Sequence, residues 1–567
     1  MLELLVPQLR VRGQVVEAVQ PLPAPAARVG DWLIRWARER PDATFLAERG
    51  ASGAWQRLSY RDALATVARI ASGLLAAGGR ADRPVMILSE NSVDHALLAL
   101  GAMHAGIPVS SVSPAYALQS TTFGRLREVV AQLAPGFVYV DDPVRYAGAL
   151  VAVGPVPRVD LAALKAAPAG ALPVVAPDAI AKVLFTSGST GRPKGVVNTQ
   201  RMLTANQESL AACWPFLARL APVIVDWLPW SHTFGANHNF FLVLRNGGSL
   251  YIDRGRPVPG LVETTLANLA DVSPNLWFNV PRGFDQAVAV LEREPALAAR
   301  VVANLQLVFY AAAALAPSTR TRLEAVAARA GRTDIFFTSA WGSTETAPLA
   351  TTAHFATPTT GNLGVPVPGV QLRLAPVQDR LELRVKGPSV TPGYWRPGGA
   401  IEPIALDDEG FLPTGDAGSF VDPARPEAGI VFGGRLGENF KLSSGTWVGV
   451  AHVRIAVVEA CAPLLLDAVI AGHDREALGA LVFPTPAARA LPDLRARVHA
   501  ALASHNVTNP GASARIACVR ICDEPLSLDE GESTDKGYTN QRRVLARRAA
   551  DVEALFADAA HRVDSRP

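Results

Sequence analysis

The sequence predicts an α/β protein. A large N-terminal domain holds parallel β-sheets covered by helices plus a β-rich subdomain, and a small mobile α+β C-terminal domain follows it. Three observations lead there. A chain of 567 residues is too long for one compact core. Strand-like and helix-like runs alternate from Arg61 to Thr338, which is βαβ patterning. After Gly433-Gly434-Arg435 the pattern changes to a smaller unit, so the boundary is placed between Leu436 and Gly437, giving domains 1–436 and 437–567.

The elements follow in order. Arg61 to Ala77 has helical period, and Val85 to Leu88 is a short apolar strand. Asn91 has the chemistry of an N-cap and opens a helix to about Ala105. Val109 to Val112 reads as a strand, Arg125 to Leu133 as a helix and Phe137 to Val140 as a strand, while the Ala-, Pro- and Val-rich stretch 143–180 reads as a loose connection. Val223 to Leu228, Ser249 to Ile252, Leu305 to Tyr310 and Ile335 to Thr338 are further strands, and Leu381 to Val385 opens a β-rich segment. In the last unit Leu464 to Ala471 and Ala480 to Phe483 read as strands and Leu491 to Ser504 as a helix.

Bulk properties exclude several classes of function. A net charge of +3 over this length gives no nucleic-acid footprint and no strong attraction to a membrane surface. The uncharged run Ala96 to Gly124 has the length of a membrane span, but Gly101, Gly106, Pro108 and Pro114 punctuate it; it reads as a buried helix entering a buried strand, with no span. The four cysteines, Cys213, Cys461, Cys518 and Cys522, lack zinc-site spacing and suit a reducing cytoplasm. Met1 to Pro7 contains Glu3 and is a poor signal peptide, which again places the chain in the cytoplasm.

The chemistry concentrates in a few motifs. Residues 184–197 set Thr186, Ser187, Ser189 and Thr190 among Gly188, Gly191 and Gly195, with Lys194 near the end, after the apolar run Ala181 to Phe185. Small residues let backbone wrap a polyanion, hydroxyls add donors and the lysine adds a mobile charge. Pro193 stands where a Walker loop needs glycine, so this is a different phosphate loop. Trp341-Gly342-Ser343-Thr344-Glu345-Thr346 follows a strand and combines a stacking ring, hydroxyls and a carboxylate suited to magnesium. Thr414-Gly415-Asp416 and Arg435 complete the set.

In their order and spacing over residues 60–545 these motifs resemble the adenylate-forming superfamily of acyl-CoA synthetases, luciferases and nonribosomal peptide adenylation domains. Four further segments narrow the likeness to bacterial feruloyl-CoA synthases: Asp226 to Gly235, Phe278 to Gly283, Glu438 to Val448 and Thr534 to Tyr538. The resemblance implies a two-step reaction. A carboxylate attacks the α-phosphate of ATP and releases pyrophosphate; the acyl-adenylate then meets the thiol of coenzyme A and releases AMP. It implies ATP, magnesium and coenzyme A as cofactors, a hydroxycinnamate or related aryl acid as the small-molecule partner, and leaves a homodimer open. Glu345 and Thr186 would hold magnesium, Asp416 would accept from both ribose hydroxyls, and Arg435 would steady the ribose.

The resemblance also assigns a catalytic lysine. Counting back from Arg542-Arg543-Val544-Leu545 reaches Thr539, whereas Lys536 stands three positions earlier; Lys536 is assigned on the ground that a loop shifts more easily than a cation is lost. Tyr310, Ala312 and Ala313 would line the adenine and aryl pocket, with alanines at 311–314 where relatives usually carry glycine. Gly437 would be the hinge. His232 either gates the acyl pocket or bonds the carboxylate, or is packed. Trp230, Phe234, Trp277 and Phe278 offer faces for a ring, and Asn237, His238 and Asn279 offer partners for a phenol hydroxyl.

Two other readings stand beside the acid–CoA ligase. One keeps adenylation but passes the aryl acid to a carrier-protein thiol or a nitrogen nucleophile, as in secondary metabolism. The other is an inactive sensor of nucleotide or aryl acid, disfavoured by the joint presence of Thr190, Glu345, Asp416 and Arg435.

Overall fold

Short apolar strands and the helices between them build the first sheet of the computed structural model, which describes residues 2–186, 192–258, 260–357, 360–534 and 539–563. Val85–Leu88 and Val109–Ser111 are buried at every position. They pair in parallel, with Phe137–Val140 beyond the first and Ile180–Thr186 beyond the second. Strands buried on both faces are read as continuous apolar runs, as these are.

The helix between the first two strands, Val93–His104, is buried along most of its length, which explains the uncharged run. No described helix is long and apolar enough to cross a membrane. The cap of this helix is Ser92, whose hydroxyl accepts from His95 N–H at 3.0 Å, not Asn91. Asn91 instead donates to the Leu228 carbonyl and accepts from Trp230 N–H, both at 2.9 Å, so its amide is committed to a neighbouring loop. The 143–180 connection also differs from expectation. It contains the helices Ala147–Val153 and Leu161–Ala166, the second capped by the Asp160 carboxylate.

The chain then turns back. Lys194–Thr199 returns antiparallel to Ile180–Thr186, with Thr186 opposite Lys194, and Gly393–Arg396 pairs antiparallel on its far side. These insertions make a seven-stranded mixed sheet. A second sheet aligns Val223–Asp226, Ser249–Ile252 and Thr44–Arg49 in parallel. A third aligns Leu276–Asn279, Leu307–Tyr310 and Phe336–Gly342 in parallel before two antiparallel strands close it.

The β-rich segment is a six-stranded antiparallel sheet that also takes in the N-terminal hairpin Leu9–Arg12 and Val15–Ala18. The smaller C-terminal domain packs Leu465–Ala471, Leu478–Pro484 and Ile516–Ile521 against helices including Val450–Ala460 and Leu494–Thr508. Its two apolar clusters draw only on residues from Phe440 onward. Leu528 packs back against the first sheet's cluster, and beside it Asp529 accepts from Ser120 Oγ and from the backbone and hydroxyl of Thr121. All four cysteines are buried and free.

Candidate functional site

The hairpin positions the first group. Thr186 and Lys194 end its two strands, opposite one another and half-buried. Ser187, Gly188, Ser189, Thr190 and Gly191 lie outside the described residues. Lys194 Nζ sits 4.9 Å from the centre of the Tyr394 ring, a cation–π contact. Burial, and then the charge of Glu345, push the Tyr394 hydroxyl up to about 12, so Glu345 shares this neighbourhood. Thr391 fixes the arrangement: its N–H donates to the Glu345 carbonyl at 2.8 Å and its hydroxyl to the Val197 carbonyl at 2.6 Å.

Glu345 lies in the 3₁₀ turn Thr344–Thr346 that follows strand Phe336–Gly342. A Cβ at Gly342 would stand 1.7 Å from the Pro348 carbonyl oxygen, so only glycine lets the chain make this turn. Ser343 N–H donates to Thr346 Oγ1 at 2.9 Å. Asn198, on the returning hairpin strand, donates to the Thr344 carbonyl at 3.4 Å and accepts from Asn237 Nδ2 at 2.6 Å. Asn198 and Tyr394 were not foreseen. Asn198 stands one residue beyond the 184–197 motif and Tyr394 lies in a strand without a motif; the sheet order brings both to the loop.

Trp341, Asp416 and Arg435 form the second group. Asp416 and Arg435 face each other across antiparallel strands Leu412–Phe420 and Ile430–Arg435. Trp341 Nε1 donates to Asp416 Oδ2 at 2.8 Å, and Arg435 Nε lies 2.9 Å from Asp416 Oδ1. That ion pair lacks hydrogen-bond alignment, which leaves Oδ1 as a buried acceptor with no such bond among the described residues. Burial raises the Asp416 pKa, against the pull of Arg435 and Trp341. An acceptor held this way suits a hydroxyl donor.

The third group sits at the carboxyl ends of three parallel strands, where Asn279, Tyr310 and Ser339 are in register. Asn279 is buried, with Oδ1 accepting from Val280 N–H at 2.9 Å. Tyr310 is buried and bonded to Ser339. Ala312 and Ala313 follow it and are exposed, and Ala312 has φ +72°, a conformation that favours glycine.

Residues 230–239 wind past this group and end in a π-helical turn, Phe234–Asn239. Such turns are rare and recur at functional sites. Asn237 also donates to Thr233 Oγ1 at 3.1 Å. His232 is buried at the start of the turn, where its carbonyl accepts from Ala236 N–H. Phe234 is half-buried against His238 and Phe309. Trp230 is 4% exposed and packs edge-on against His95 and Phe240 in the main core. Trp277 packs on Phe284.

Lys536 lies outside the described residues. A bridge between Ser533 and Thr539 flanks residues 535–538. Thr539 is buried and its hydroxyl donates to Asp467, which also pairs with Arg454. Gly437 stands exposed in a turn; its φ is not in the left-handed region, and a Cβ there would meet only Arg542 Nη1 at 3.8 Å. Among the described residues no group of three or more His, Cys, Asp or Glu side chains could hold a metal. Glu345 with hydroxyls nearby fits magnesium, which keeps several waters and substrate oxygens as its remaining ligands.

A large α/β domain with this hairpin and these strand-end groups, followed by a small α+β domain, is the architecture of an adenylating enzyme. The AMP-binding enzyme family matches residues 33–395 and the AMP-binding enzyme C-terminal domain matches 442–560; the chain belongs to this family. A long-chain-fatty-acid–CoA ligase of Mycobacterium bovis is 26% identical, covering 91% of this chain and 95% of that protein. The adenylation domain of a carboxylate reductase from Mycobacterium chelonae superposes with TM-score 0.73 at 21% identity, over 95% of this chain and 92% of that one. An anthranilate CoA ligase in complex with anthranoyl-AMP gives TM-score 0.73 at 17% identity, over 93% and 98%. The coarse chemistry follows from the family: an ATP-dependent ligase that activates a carboxylic acid as its adenylate. The feruloyl-CoA synthase likeness is finer than these matches reach.

Proposed function

We propose that the protein joins an aryl acid of the hydroxycinnamate class to coenzyme A through an acyl-adenylate. The observation that supports adenylation best is the meeting of Trp341, Asp416 and Arg435, three motifs far apart in sequence, on one buried acceptor. In this reading Asp416 accepts the ribose hydroxyls and Arg435 steadies them. Thr186, Lys194 and the 187–191 hydroxyls bind the phosphates. Bringing a carboxylate to a polyphosphate requires preorganised positive charge and donors. Glu345 and Thr186 would hold magnesium, which would supply charge neutralisation. Lys536 would bring a further cation from the C-terminal domain, with the boundary at Leu436–Gly437 and Gly437 as the pivot.

The aryl assignment draws on the rings of Phe234, Phe278 and Phe309 around the π-helical turn and on the buried amides of Asn237 and Asn279. Asn237 Oδ1 has no hydrogen-bond partner among the described residues, and an alkyl chain would leave it so. Buried free thiols and the lack of a described membrane helix are consistent with our placing the enzyme in the cytoplasm. A second reading changes the acceptor to a carrier-protein thiol or a nitrogen nucleophile. It is favoured by Thr539, a structural residue at the position where the superfamily's lysine falls by count.

A screen of hydroxycinnamates, benzoates and fatty acids for AMP release, with and without coenzyme A, tests both readings. Ferulate or a close 4-hydroxycinnamate should exceed octanoate in kcat/KM, and release should depend on coenzyme A. Octanoate at or above ferulate ends the aryl reading; turnover indifferent to coenzyme A favours the second.

A further inference from the structure

The π-helical turn carries a buried imidazole whose free nitrogen is an acceptor. His238 is 1% exposed, and its Nδ1 lies 2.9 Å from Asn239 Oδ1. Asn239 Nδ2 in turn donates to Asp226 Oδ2 at 2.9 Å, while Asp226 Oδ1 accepts from Leu228 N–H at 3.0 Å. Burial pushes the Asp226 carboxyl up to about 7; above that pH it is a carboxylate that only accepts, so the Asn239 amide presents Nδ2 to Asp226 and Oδ1 to the imidazole. His238 Nδ1 therefore carries the hydrogen and Nε2 carries a lone pair. Burial holds the imidazolium down to about 4, so the ring is neutral at ordinary pH. Nε2 has no hydrogen-bond partner among the described residues.

Aromatic rings surround this nitrogen's side chain. Phe309 stacks on the imidazole at 4.8 Å, and Phe278, Phe234 and Trp214 meet it edge-on at 5.5, 5.7 and 6.3 Å. Phe278 and Phe309 stand on the adjacent parallel strands whose ends carry Asn279 and Tyr310. Phe234 is half-buried and the least buried of these four rings. Gln207 clamps the turn from below, donating to the carbonyls of Asn237 and His238 at 2.8 and 3.2 Å. An unmatched acceptor in an apolar shell is costly, and a ligand that brings a donor removes that cost, whereas an alkyl chain or an aryl ether does not.

We propose that His238 is a specificity-determining residue, its tautomer set by Asn239 and Asp226, and that it selects acids whose ring carries a hydrogen-bond donor, a phenolic hydroxyl or an arylamine. This rests on the aryl-acid reading above.

The test is pyrophosphate exchange by the full-length enzyme with cinnamate, its 3-hydroxy, 4-hydroxy, 4-amino and 4-methoxy derivatives, octanoate and palmitate. The best hydroxy- or amino-cinnamate should exceed cinnamate and the methoxy acid in kcat/KM by roughly tenfold or more. His238→Phe should bring that ratio to near unity while the KM for ATP and the thermal midpoint stay in place. Should that variant not fold, Asn239→Ser keeps the imidazole but frees its tautomer, and the same ratio should fall. Aryl acids preferred without regard to the donor would overturn this inference alone. A preference that survives in folded His238→Phe would do the same. Fatty acids above every aryl acid would remove the aryl reading and this inference with it.

Discussion

The Trp341 indole N–H is bonded to the Asp416 carboxylate at 2.8 Å, across 75 residues of sequence. Trp341 lies near the end of strand Phe336–Gly342, past its parallel pairing, and Asp416 lies in the six-stranded antiparallel sheet, so this bond joins two sheets at the candidate nucleotide site. Trp341→Phe keeps the ring and removes the donor, leaving a buried carboxylate with one partner fewer. AMP should bind about tenfold more weakly by calorimetry, the effect of losing about 1–2 kcal/mol. Unchanged affinity would separate Asp416 from the nucleotide.

Glu345→Gln keeps the shape of the turn, since its backbone carbonyl still accepts from Thr391 N–H. It removes the charge assigned to magnesium. Pyrophosphate exchange should fall roughly a hundredfold or more in kcat/KM, and raising magnesium should recover part of it. Near-normal exchange would move the metal elsewhere.

Ala312 and Ala313 are adjacent and exposed, yet only Ala312 has positive φ, at +72°. Glycine at either place adds the same freedom to the unfolded chain, so the difference between the two variants isolates the backbone strain. Ala312→Gly should be more stable than Ala313→Gly by about 1 kcal/mol in denaturant titrations. Equal midpoints would mean that the left-handed turn is not held in solution.

Glu532 is fully buried and bonded to Arg548 at 2.6 and 2.8 Å. Burial works to raise its pKa, but the Arg548 bonds, Ser527 N–H and Arg547 outweigh burial and hold it at about 2 instead of 4.5. A depressed pKa adds stability that is present above about 4.5 and lost as pH falls through about 2. Glu532→Gln strands a buried guanidinium and should destabilise the C-terminal domain by about 3–5 kcal/mol at pH 7. Unfolding curves of wild type and variant should converge between pH 4 and pH 2; a constant gap would contradict the assignment.

The sequence carried the sheets well where burial on both faces wrote itself as apolar runs. Phe137–Val140 and Ser249–Ile252 begin and end as read. It failed where two residues compete for one role: Asn91 and Ser92 are both capping types, and only the distant Leu228–Trp230 loop decides which one caps. Lys194–Thr199 is absent from the strands read in the sequence because its lysine and glycine mask the returning strand of the hairpin. At the candidate site the motif residues could be named, but their company could not. Asn198 and Tyr394 enter through sheet order, and the orientation of His238 depends on an amide one residue away and a carboxylate twelve residues before it.

The hairpin at Thr186 and Lys194 has a consequence for how an anion would be gripped there. In strand-to-helix nucleotide loops the next helix points its positive end at the phosphates. Here the next helix, Gln200–Cys213, begins only after the six-residue return strand, about 20 Å away at the usual rise per residue. The macrodipole is thus beyond reach. A hold on phosphate at this hairpin would therefore draw on hydroxyls, backbone N–H groups and side-chain cations in place of a helix end.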